Sequence, residues 1–491
     1  MEIKLTLRLL LVALLLTTAE VSAQTAFYKV FSGNGYDKGE GACQLPDSSF
    51  LITGSSSSFA EAPSQVFLMH IDSAGAFLWS KAYGGIESEE GKRVMAVPEF
   101  GYYIAGTSSS SGSGDFDNYL LFTSESGDLE WEAFTDNGGW ERIHDAVLLA
   151  DTTIFTVGET DSNATANADI FVVRYSKTGS VIWSKQFGSD KEDVAYAAEI
   201  ASDTTVIIGG TYYVEDSLQN KAYLAMIDTR DGSFLWEKTY GVQGNYQFND
   251  LAVSGEEVKA VGQRIKTGKT DHDIFHEIAI LETGTHVTSE EYYAISDSRY
   301  GACVQYGQGV NGKFFVNEQA INPSSPTFPE GEDAIISRHA SNLYWDGYGV
   351  SYSGIGQDQF NQIIRTSDGF ALAVGFHTTY GPGGNSVMLV KIGDDNYFPP
   401  LTNTVYDILN VEALSLLKGI SVYPNPVADQ LSIAIPGIAF SYVLADATGK
   451  QLAAGKAFAD GTIDFSQQCS GVYFLKVVHE SGETALIKIV K

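Results

Sequence analysis

Short apolar stretches alternate with polar residues along most of the chain, and turn-forming residues separate them. Typical examples are Tyr102-Tyr103-Ile104-Ala105-Gly106 and Asp169-Ile170-Phe171-Val172-Val173-Arg174-Tyr175. Their alternation has a period of two, which is the period of a β-strand with one buried face. No stretch of useful length follows the helical period. The pattern therefore predicts an all-β protein.

Two markers recur in phase and divide most of the chain into copies of one unit. The first is an opening aromatic residue: Trp79, Trp131, Trp183 and Trp236 are spaced by 52, 52 and 53 residues. The second is a glycine at 52-residue intervals, found at Gly54, Gly106, Gly158, Gly210 and Gly262. A period near 50 residues is typical of a repeated supersecondary unit, and each copy contains four strand patterns.

Further openers extend the count to seven. Phe27 lies 52 residues before Trp79, Tyr292 stands near the place of the next opener, and Trp345 follows. The last unit has three strand patterns and lacks its opener, whereas the strand at 27–31 has no unit before it. If that strand completes the last unit, 24–393 closes into a seven-bladed β-propeller and its edge strands are paired.

The recurring tryptophan is predicted to pack between blades. Asp72, Gly75 and Trp79 resemble the blade-docking signature of quinoprotein propellers, and more loosely the Asp-box turn of sialidase propellers. The resemblance implies an inter-blade role for one set of residues: Trp79, Trp131, Trp183, Trp236 and Trp345. A ligand-stacking role is the alternative. The sequence shows neither a quinone-binding constellation nor a sialidase arginine triad.

Residues 1–23 are typical of a signal peptide. Lys4 and Arg8 supply the positive flank, 9–16 form an apolar run, and Val21-Ser22-Ala23 offers a small-residue cleavage site. The apolar run is too short to anchor the chain in a bilayer. No other segment is predicted to span a membrane.

The tail, 420–491, carries a different set of motifs. They are a Tyr-Pro-Asn-Pro opening, an Asp-x-x-Gly-Lys turn, a Gly-x-Tyr strand and a basic end, given by Tyr423, Pro424, Asn425, Pro426, Asp446, Gly449, Lys450, Gly471, Tyr473, Lys488 and Lys491. They resemble the type A C-terminal sorting domain of the type IX secretion system of Bacteroidota. The resemblance implies a seven-stranded Ig-like sandwich, export across the outer membrane, removal of the domain, and release or anchoring to lipopolysaccharide.

The segment 394–419 between the two domains is predicted to be a linker. Pro399 and Pro400 break regular structure there, and 411–418 has the pattern of a short helical turn. The whole chain is thus predicted to be a seven-bladed β-propeller followed by a small Ig-like sorting domain.

The propeller carries nearly all of the acidity. The chain has a net charge of −31, of which −1 lies in the tail and none, net, in the first 23 residues. Such a surface repels nucleic acid and anionic lipid. It suits cations or a basic partner, and solubility outside the cell explains it equally well.

Four acidic residues keep the phase of the repeat. Asp37, Glu89, Glu141 and Asp193 each lie ten residues after their opener, and Asp250 and Asp358 are assigned to similar loops. These loops should surround one mouth of the channel, where an acidic ring would bind Ca²⁺ or a polycation. Alternatively, each carboxylate caps its own turn. Asp115-Phe116-Asp117 is interpreted as a strand-entry turn.

The three cysteines are predicted to form no disulfide. Cys43 and Cys303 share the string Gly-Ala-Cys and are assigned to inner strands of the first and sixth blades, which are not neighbours. A disulfide needs Cα atoms within about 7 Å. Cys469 lies in the removable tail.

No local catalytic motif is present: the sequence has no His-Glu-x-x-His and no Gly-x-Ser-x-Gly. The leading hypothesis is a non-enzymatic extracellular or cell-surface propeller for binding or adhesion. Its partners would be the type IX machinery and a glycan or protein ligand, with no cofactor apart from the Ca²⁺ considered above. One alternative is a secreted polysaccharide-degrading enzyme with its site spread over the blade loops. Another is a structural component of a matrix or of the gliding apparatus.

Overall fold

The computed structural model describes most of the chain after residue 25. The described ranges are 26–59, 62–111, 115–162, 167–268, 272–292, 299–307, 313–321, 332–340, 345–352, 356–378, 381, 384–393, 399, 405–407, 421–423, 427, 429–446, 450–466, 468–469, 471–479 and 484–491. The predicted signal peptide and the predicted helical turn at 411–418 lie outside them. Within these ranges the chain is almost entirely β-structure, with one 3₁₀ turn at Glu215–Ser217. None of the described residues forms a helix long and apolar enough to cross a membrane.

Seven antiparallel sheets follow one another along the chain, and we number them as blades 1 to 7. Blade 1 comprises β2 (Asp37–Gln44), β3 (Phe50–Ser56), β4 (Gln65–Ile71) and β5 (Phe77–Tyr83). Blade 2 comprises β6 (Glu89–Val97), β7 (Gly101–Ser108), β8 (Asp117–Thr123) and β9 (Leu129–Thr135). Blade 3 comprises β10 (Glu141–Leu148), β11 (Ile154–Thr160), β12 (Asp169–Tyr175) and β13 (Val181–Phe187).

The later blades follow the same order of strands. Blade 4 comprises β14 (Val194–Ser202), β15 (Thr205–Val214), β16 (Gln219–Asp228) and β17 (Phe234–Tyr240). Blade 5 comprises β18 (Asn245–Ser254), β19 (Glu257–Ile265), β20 (His272–Ile280) and β21 (His286–Tyr292). Blade 6 comprises β22 (Arg299–Gly307), β23 (Lys313–Ile321), β24 (Glu332–His339) and β25 (Trp345–Tyr352).

Blade 7 is assembled from both ends of the propeller. It contains β26 (Asp358–Arg365), β27 (Ala371–His377), β28 (Ser386–Ile392), β1 (Phe27–Ser32) and β29 (Val405–Asp407). β1 pairs antiparallel with β28, from Phe27 opposite Lys391 to Phe31 opposite Val387. The predicted seven-bladed ring and its closure by the first strand are therefore confirmed. The predicted linker is not wholly irregular, because β29 lies within it and adds a parallel strand to β1.

Every inner strand contains a β-bulge at the same place. The bulged residues are Glu40, Lys92, His144, Tyr196, Asn249, Ala302 and Asn361. In six blades the second strand places a glycine opposite the residue that precedes the bulge. A Cβ at Gly106, for example, would lie 1.9 Å from the Glu90 carbonyl oxygen. The periodic glycine of the sequence is thus the residue that permits the bulge.

The hydrophobic core lies between blades rather than within a single sheet. One cluster joins Phe31 of β1 and Leu389 of β28 to Phe50 and Phe67 of blade 1, and all four are fully buried. Similar clusters join blades 1 and 2, 2 and 3, 3 and 4, 4 and 5, and 6 and 7. Each blade therefore depends on its neighbours, which is characteristic of a repeat fold.

The C-terminal residues form a separate small β-domain. Its strands are β30 (Ser421–Tyr423), β31 (Gln430–Asp446), β32 (Gln451–Asp464), β33 (Val472–His479) and β34 (Thr484–Val490). The described residues form five strands rather than the expected seven, because β31 and β32 are long and their register shifts along the way. The first part of β31 pairs with β30 and the later part with β33, so one long strand takes the place of two shorter strands.

Candidate functional site

The two faces of the propeller ring differ in their connections. We call the face that carries the links from an outer strand to the next inner strand, and from the second to the third strand, the loop face. The opposite face, the turn face, carries tight turns such as Leu45–Ser49 and Asp72–Ala76, each closed by a backbone hydrogen bond of 2.8 Å. Connecting loops with room to vary are where binding residues usually lie. The loop face is therefore the first candidate.

The in-phase acidic residues begin the inner strands on the loop face, and each is buried. Asp37 accepts a hydrogen bond of 2.7 Å from the Gly33 backbone N–H and one of 3.0 Å from the Ser58 hydroxyl. Glu89 likewise accepts bonds of 3.1 Å from the Gly85 N–H and the Ser108 hydroxyl. Each carboxylate thus caps the turn that precedes it and the hairpin beside it.

Glu141 and Asp193 follow the same arrangement. Glu141 accepts bonds of 3.1 Å from the Asn137 N–H and 2.8 Å from the Thr160 hydroxyl. Asp193 accepts a bond of 2.6 Å from the Tyr213 N–H. Burial raises the pKa of Glu141 to about 7 and raises that of Asp193 as well. The four acids lie at separate blade junctions, and each is hydrogen-bonded within its own blade. The described residues bring them to no common site, and the cation ring stays a prediction.

The assignment of Asp250 to a similar loop is wrong. Asp250 lies inside β18, directly after the bulged residue Asn249, and its backbone is opposite Val261. The residue at the capping position of blade 5 is Tyr246, three places before the bulge. Asp358, by contrast, does begin an inner strand and accepts a bond of 3.3 Å from the Thr378 N–H. Asp250 lies fourteen residues after Trp236, whereas the capping position lies ten residues after it, as in blades 1 to 4.

One group of acids does converge. Among the described residues, Asp117, Asp136 and Glu141 each offer a carboxylate oxygen, and these oxygens lie within 4.8 Å of one another. Asp117 and Glu141 are buried, whereas Asp136 is exposed. Burial raises the pKa of Asp117, and the nearby Asp136 adds to the effect. Asp117 is the first residue of β8, so it is indeed a strand-entry residue, but it also faces the acid of the next blade.

Polar side chains from neighbouring inner strands meet around the central channel. The Lys92 ammonium lies 3.3 Å from Glu40 and 2.8 Å from Glu90. Burial raises the pKa of Glu40 to about 7. Burial also acts to raise the pKa of Glu90, but the Lys92 charge together with hydrogen bonds to Lys92 and Glu40 outweighs it and lowers that pKa to about 2. A second pair, Arg93 and Asp145, lies one position further along at 2.6 Å.

The bulged residues were not singled out from the sequence, although a signal exists. Glu40, Lys92, His144 and Tyr196 are spaced by 52 residues. They therefore share the 52-residue spacing of the periodic glycines. What conceals them is their chemistry, since an acid, a base, an imidazole and a phenol share no residue type. Only the bulge shows that they are equivalent.

Three pockets lined by described residues open on the loop face. The first, of about 490 Å³, lies near the channel mouth between blades 7, 1 and 2, with Tyr36, Lys38 and Phe116 among its walls. The second, of about 650 Å³, lies on the outer side of blade 4 beside Tyr212 and Glu237. The third, of about 230 Å³, lies between blades 4 and 5. All three linings combine aromatic rings and hydroxyls; the first two also hold lysine and carboxylate side chains, and amides are most numerous in the third.

The recurring tryptophans lie between blades and are only half-buried. The glycine of the next blade's turn packs on each ring, and a Cβ at Gly127 would lie 2.8 Å from the Trp79 ring. The same contact joins Gly179 to Trp131, Gly232 to Trp183 and Gly284 to Trp236. The indole N–H of Trp183 also donates to the Thr229 carbonyl oxygen at 2.9 Å. Trp345 begins β25, and its side chain lies outside the described part.

The cysteines lie apart along the fold. Cys43 is free, and burial raises the pKa of its thiol to about 12, so it is an unreactive thiol rather than a thiolate. Cys303 lies in β22 of blade 6, and its side chain is outside the described residues. The shared Gly-Ala-Cys string is not structurally equivalent, because the bulge falls on Glu40 in one case and on Ala302 in the other. Cys469 is free and exposed.

Several sorting-motif residues hold the last turns of the C-terminal domain together. The Tyr473 hydroxyl donates to the Cys469 carbonyl oxygen at 2.5 Å, and Gly471 and Lys491 exchange two backbone bonds of 2.9 Å. The Lys491 ammonium donates to the Phe465 carbonyl oxygen. Tyr423, Asp446 and Lys488 lie in strands with side chains outside the described part, and Lys450 immediately precedes β32. Pro424, Asn425, Pro426 and Gly449 lie outside the described residues.

Comparisons with known proteins give different results for the propeller and for the C-terminal domain. Residues 421–491 match the family model of the secretion system C-terminal sorting domain. No curated protein matches the chain. Among solved structures, the chain is similar to the Pan2 WD40 domain of Neurospora crassa, at 9% identity and a TM-score of 0.43, over 76% of this chain and 90% of that one.

It is also similar to the quinohemoprotein alcohol dehydrogenase ADHIIG of Pseudomonas putida HK5, at 9% identity and a TM-score of 0.44, over 82% of this chain and 79% of that one. At this level of similarity the propeller assignment depends on the seven sheets themselves. The sorting domain, however, indicates where the protein is exported. The chain is a β-propeller protein with a type IX secretion sorting domain, exported to the cell surface or the extracellular space.

Proposed function

We propose that this protein is a non-enzymatic propeller that binds an extracellular glycan on its loop face. The observation that carries the proposal is the asymmetry of the two faces. All three pockets described above open on the loop face, while the turn face is closed by short hydrogen-bonded turns. Concave sites with a few polar groups and aromatic walls are typical of ligand binding.

The chemistry of these walls suits a sugar better than a protein surface. Hydroxyls and amides both donate and accept hydrogen bonds, as sugar hydroxyls do. Aromatic rings such as Tyr36, which is 64% exposed, supply an apolar surface with little conformational freedom to lose. Export to the cell exterior places the loop face where polysaccharides are met.

A glycan array with the purified full chain tests the proposal, and a panel of glycoside hydrolase substrates accompanies it. Retention of a glycan without turnover is the expected result. Tyr36→Ala should weaken retention, because it removes an exposed ring from the loop face. Phe100→Ala is the matched control, since Phe100 is 72% exposed and lies in the β6–β7 connection on the turn face. Loss of binding in both variants would argue against a loop-face site, and loss in neither would exclude the pocket beside Tyr36 as the place of binding.

One observation favours the enzymatic alternative. Asp117 and Glu141 are neighbouring carboxyls, and the pKa of Glu141 is raised to about 7, as a general acid requires. Both are buried, however, and only Asp136 reaches solvent. Turnover of any substrate in the hydrolase panel that disappears in Glu141→Gln would establish this alternative in place of simple binding.

A further inference from the structure

Blade 5 departs from the repeat at the position where blades 1 to 4 and blade 7 place a capping acid. Tyr246 stands there instead, and the residue is 2% exposed. Its hydroxyl donates to Glu291 at 3.1 Å and is also hydrogen-bonded to the Val242 backbone, in the turn that precedes β18. Gly241 lies against the ring, where a Cβ would come within 2.5 Å. A bulky, uncharged phenol ring therefore fills the junction between blades 4 and 5 in place of a carboxylate.

The cavity of about 230 Å³ lies at this junction, and we call it the blade 4–5 pocket. One wall is the β15–β16 hairpin of blade 4, whose strands have ten residues each, compared with seven in β3 and β4 of blade 1. The other wall is the nine-residue strand β19 of blade 5. The pocket is thus a product of two extended blades and has no counterpart in the short hairpins of blade 1.

Amide side chains line the walls. The Asn245 carbonyl oxygen accepts a hydrogen bond of 3.1 Å from the Asn220 backbone N–H, which fixes the Asn245 side chain across the junction. Gln263 is fixed in the same way by a bond of 2.7 Å between its carbonyl oxygen and His272 Nδ1. Gln247 donates to Asn249 at 2.6 Å. Each of these bonds uses one atom of the amide, and the other atom keeps its capacity to donate or accept a hydrogen bond.

Tyr196 provides the inner wall. It is the bulged residue of β14, so its side chain lies at the channel edge of blade 4. The ring packs against His144 at a centroid distance of 5.1 Å. Within the described part of the chain the Tyr196 hydroxyl makes no hydrogen bond, and it remains available to a ligand. A held ring with an unused hydroxyl is a preorganised contact, which costs little entropy on binding.

The charge and size of the pocket limit what it accepts. Its lining consists of amides, tyrosines, Thr211 and Ile265, and the one charged side chain is the exposed Glu192. Its volume is below the roughly 300–1,000 Å³ that is usual for larger organic ligands. A neutral, compact molecule rich in hydroxyls fits these conditions, whereas an anionic one finds no cation in the lining and a cationic one finds only the exposed Glu192.

We propose that the blade 4–5 pocket binds one neutral pyranose ring, as the terminal unit of a glycan. This inference rests on the proposed glycan-binding function and assigns its recognition site. Tyr196 and the amides of Asn245 and Gln263 would hydrogen-bond the ring hydroxyls. Specificity would follow from these fixed groups, because a site built to pair with a hydroxyl rejects a ligand that lacks it.

The test uses the purified full chain with methyl pyranosides of glucose, galactose, mannose and N-acetylglucosamine as probes, followed by saturation-transfer NMR and titration. We expect at least one neutral pyranoside to bind. Tyr196→Phe should weaken it about tenfold and Gln263→Ala by a similar factor, as expected for a hydrogen bond whose partner is lost. Tyr103→Phe is the control and should leave affinity unchanged, because the Tyr103 hydroxyl donates to the Lys177 carbonyl oxygen on the turn face. Tyr196→Phe retains the ring contact with His144, so it should fold normally, and thermal melting checks this.

The outcomes separate this inference from the proposed function. If the full chain retains a glycan on the array but Tyr196→Phe and Gln263→Ala bind it as well as the parent, the pocket assignment is wrong and glycan binding stands. If no glycan and no pyranoside binds, both proposals fail. Binding restricted to sugars that carry a carboxylate or an amine would also overturn the neutral-ring assignment.

Discussion

Blades 1 to 3 and blades 4 and 5 share one scaffold but use it differently. In blades 1 to 3 each inner strand begins with a buried carboxylate that caps its own turn, given by Asp37, Glu89 and Glu141. In blades 4 and 5 the second and third strands are longer, and Tyr246 replaces the acid in blade 5. Two of the three loop-face pockets lie beside these longer blades.

The difference indicates which residues the fold needs and which it leaves open. The bulge, the opposing glycine and the tryptophan on the next blade's turn occur in both regions, so they belong to the scaffold. Blade 4 keeps its capping acid, Asp193, beside a longer hairpin, whereas blade 5 replaces it with Tyr246, so the longer hairpin permits the replacement without requiring it. Departure from the repeat therefore marks the surface that is available for binding, in agreement with the general separation between fold and site.

The largest effect is expected from removing the strand on which both regions depend. Deleting 24–33 removes β1, whose Phe27, Tyr28, Val30 and Phe31 are at most 6% exposed. Each such side chain contributes about 1.5–3 kcal/mol, so the loss is comparable to the whole stability of a typical domain. Calorimetry should show no cooperative transition, or a melting temperature lower by more than about 10 °C. Deleting 405–407, which removes only β29, is the control. An unchanged melting temperature without β1 would disprove closure by that strand.

The bulge is predicted to be equally necessary in the regular and the departing blades. Gly106→Ala and Gly262→Ala each place a Cβ 1.9 Å from a carbonyl oxygen of the inner strand. Both should destabilise the propeller by about 3 kcal/mol, because backbone must move to relieve the contact. Urea denaturation measures the loss. Gly349→Ala, where the nearest atom is 3.7 Å away, should cost much less. A tolerant Gly262→Ala would mean that blade 5 lacks the common scaffold.

The capping position should separate the two regions. Glu89→Ala in blade 2 leaves the Gly85 N–H and the Ser108 hydroxyl without their acceptor, at a cost of about 2–4 kcal/mol. Tyr246→Phe at the same register in blade 5 removes a neutral hydroxyl that is hydrogen-bonded to Glu291 and to the Val242 backbone, and it should cost less, about 1–2 kcal/mol. Chemical denaturation of both variants gives the comparison. Equal losses would show that the phenol caps its turn as strongly as the carboxylate does.

The buried acids should make stability fall as pH rises. Burial raises the pKa of Glu141 from 4.5 to about 7, and it raises that of Glu199 to the same value. A carboxyl with a raised folded pKa binds more protons when folded, so its contribution is fully present below pH 4.5 and is lost as pH rises through about 7. Glu141→Gln and Glu199→Gln should each flatten this slope, by at most about 3 kcal/mol. Melting curves at several pH values between 4.5 and 7.5 provide the test. A variant that steepens the slope would contradict the burial argument.

The smallest effect is expected from calcium. Asp37, Glu89 and Asp193 are satisfied within separate blades, so they offer no shared site. Millimolar Ca²⁺ should therefore raise the melting temperature no more than Na⁺ at matched ionic strength, since screening alone acts. A shift of several degrees that is specific to Ca²⁺ would contradict this expectation. Its loss in Asp136→Asn, but not in Glu89→Gln, would then assign the ion to the Asp117, Asp136 and Glu141 group.

The fold of this protein could be predicted from its sequence, because the repeat presents each local pattern several times. An alternating strand, a turn glycine or an opener such as Trp131 is weak evidence alone, but seven copies in phase predict a ring. Phe27 could be assigned to the last blade because a missing strand at one end matched a spare strand at the other. The sorting domain was equally predictable, since its motifs are short and contiguous in the sequence.

The site was less predictable. Asp250 was placed in a loop because it is an acid near the expected position, fourteen residues after Trp236, whereas the bulge at Asn249 shows that the constant offset of ten, which gives Tyr246, applies to blade 5 as well. Asp117 looked like a local turn residue, and its approach to Glu141 comes from the next blade. Tyr196 keeps the 52-residue spacing of the bulged residues, but its residue type concealed it, and its place in a pocket depends on the bulge and on the longer hairpin beside it.

The amino-acid sequence by itself determined the strands, the seven-fold repeat, the closure of the ring and the export address. These follow from period, residue type and short motifs, which act over a few neighbours along the chain. The tertiary structure alone decided which acids cap turns, which carboxylates meet, and where pockets remain. Those outcomes depend on distances between residues about fifty positions apart, and on blade junctions whose shape changes when a single hairpin grows by two or three residues.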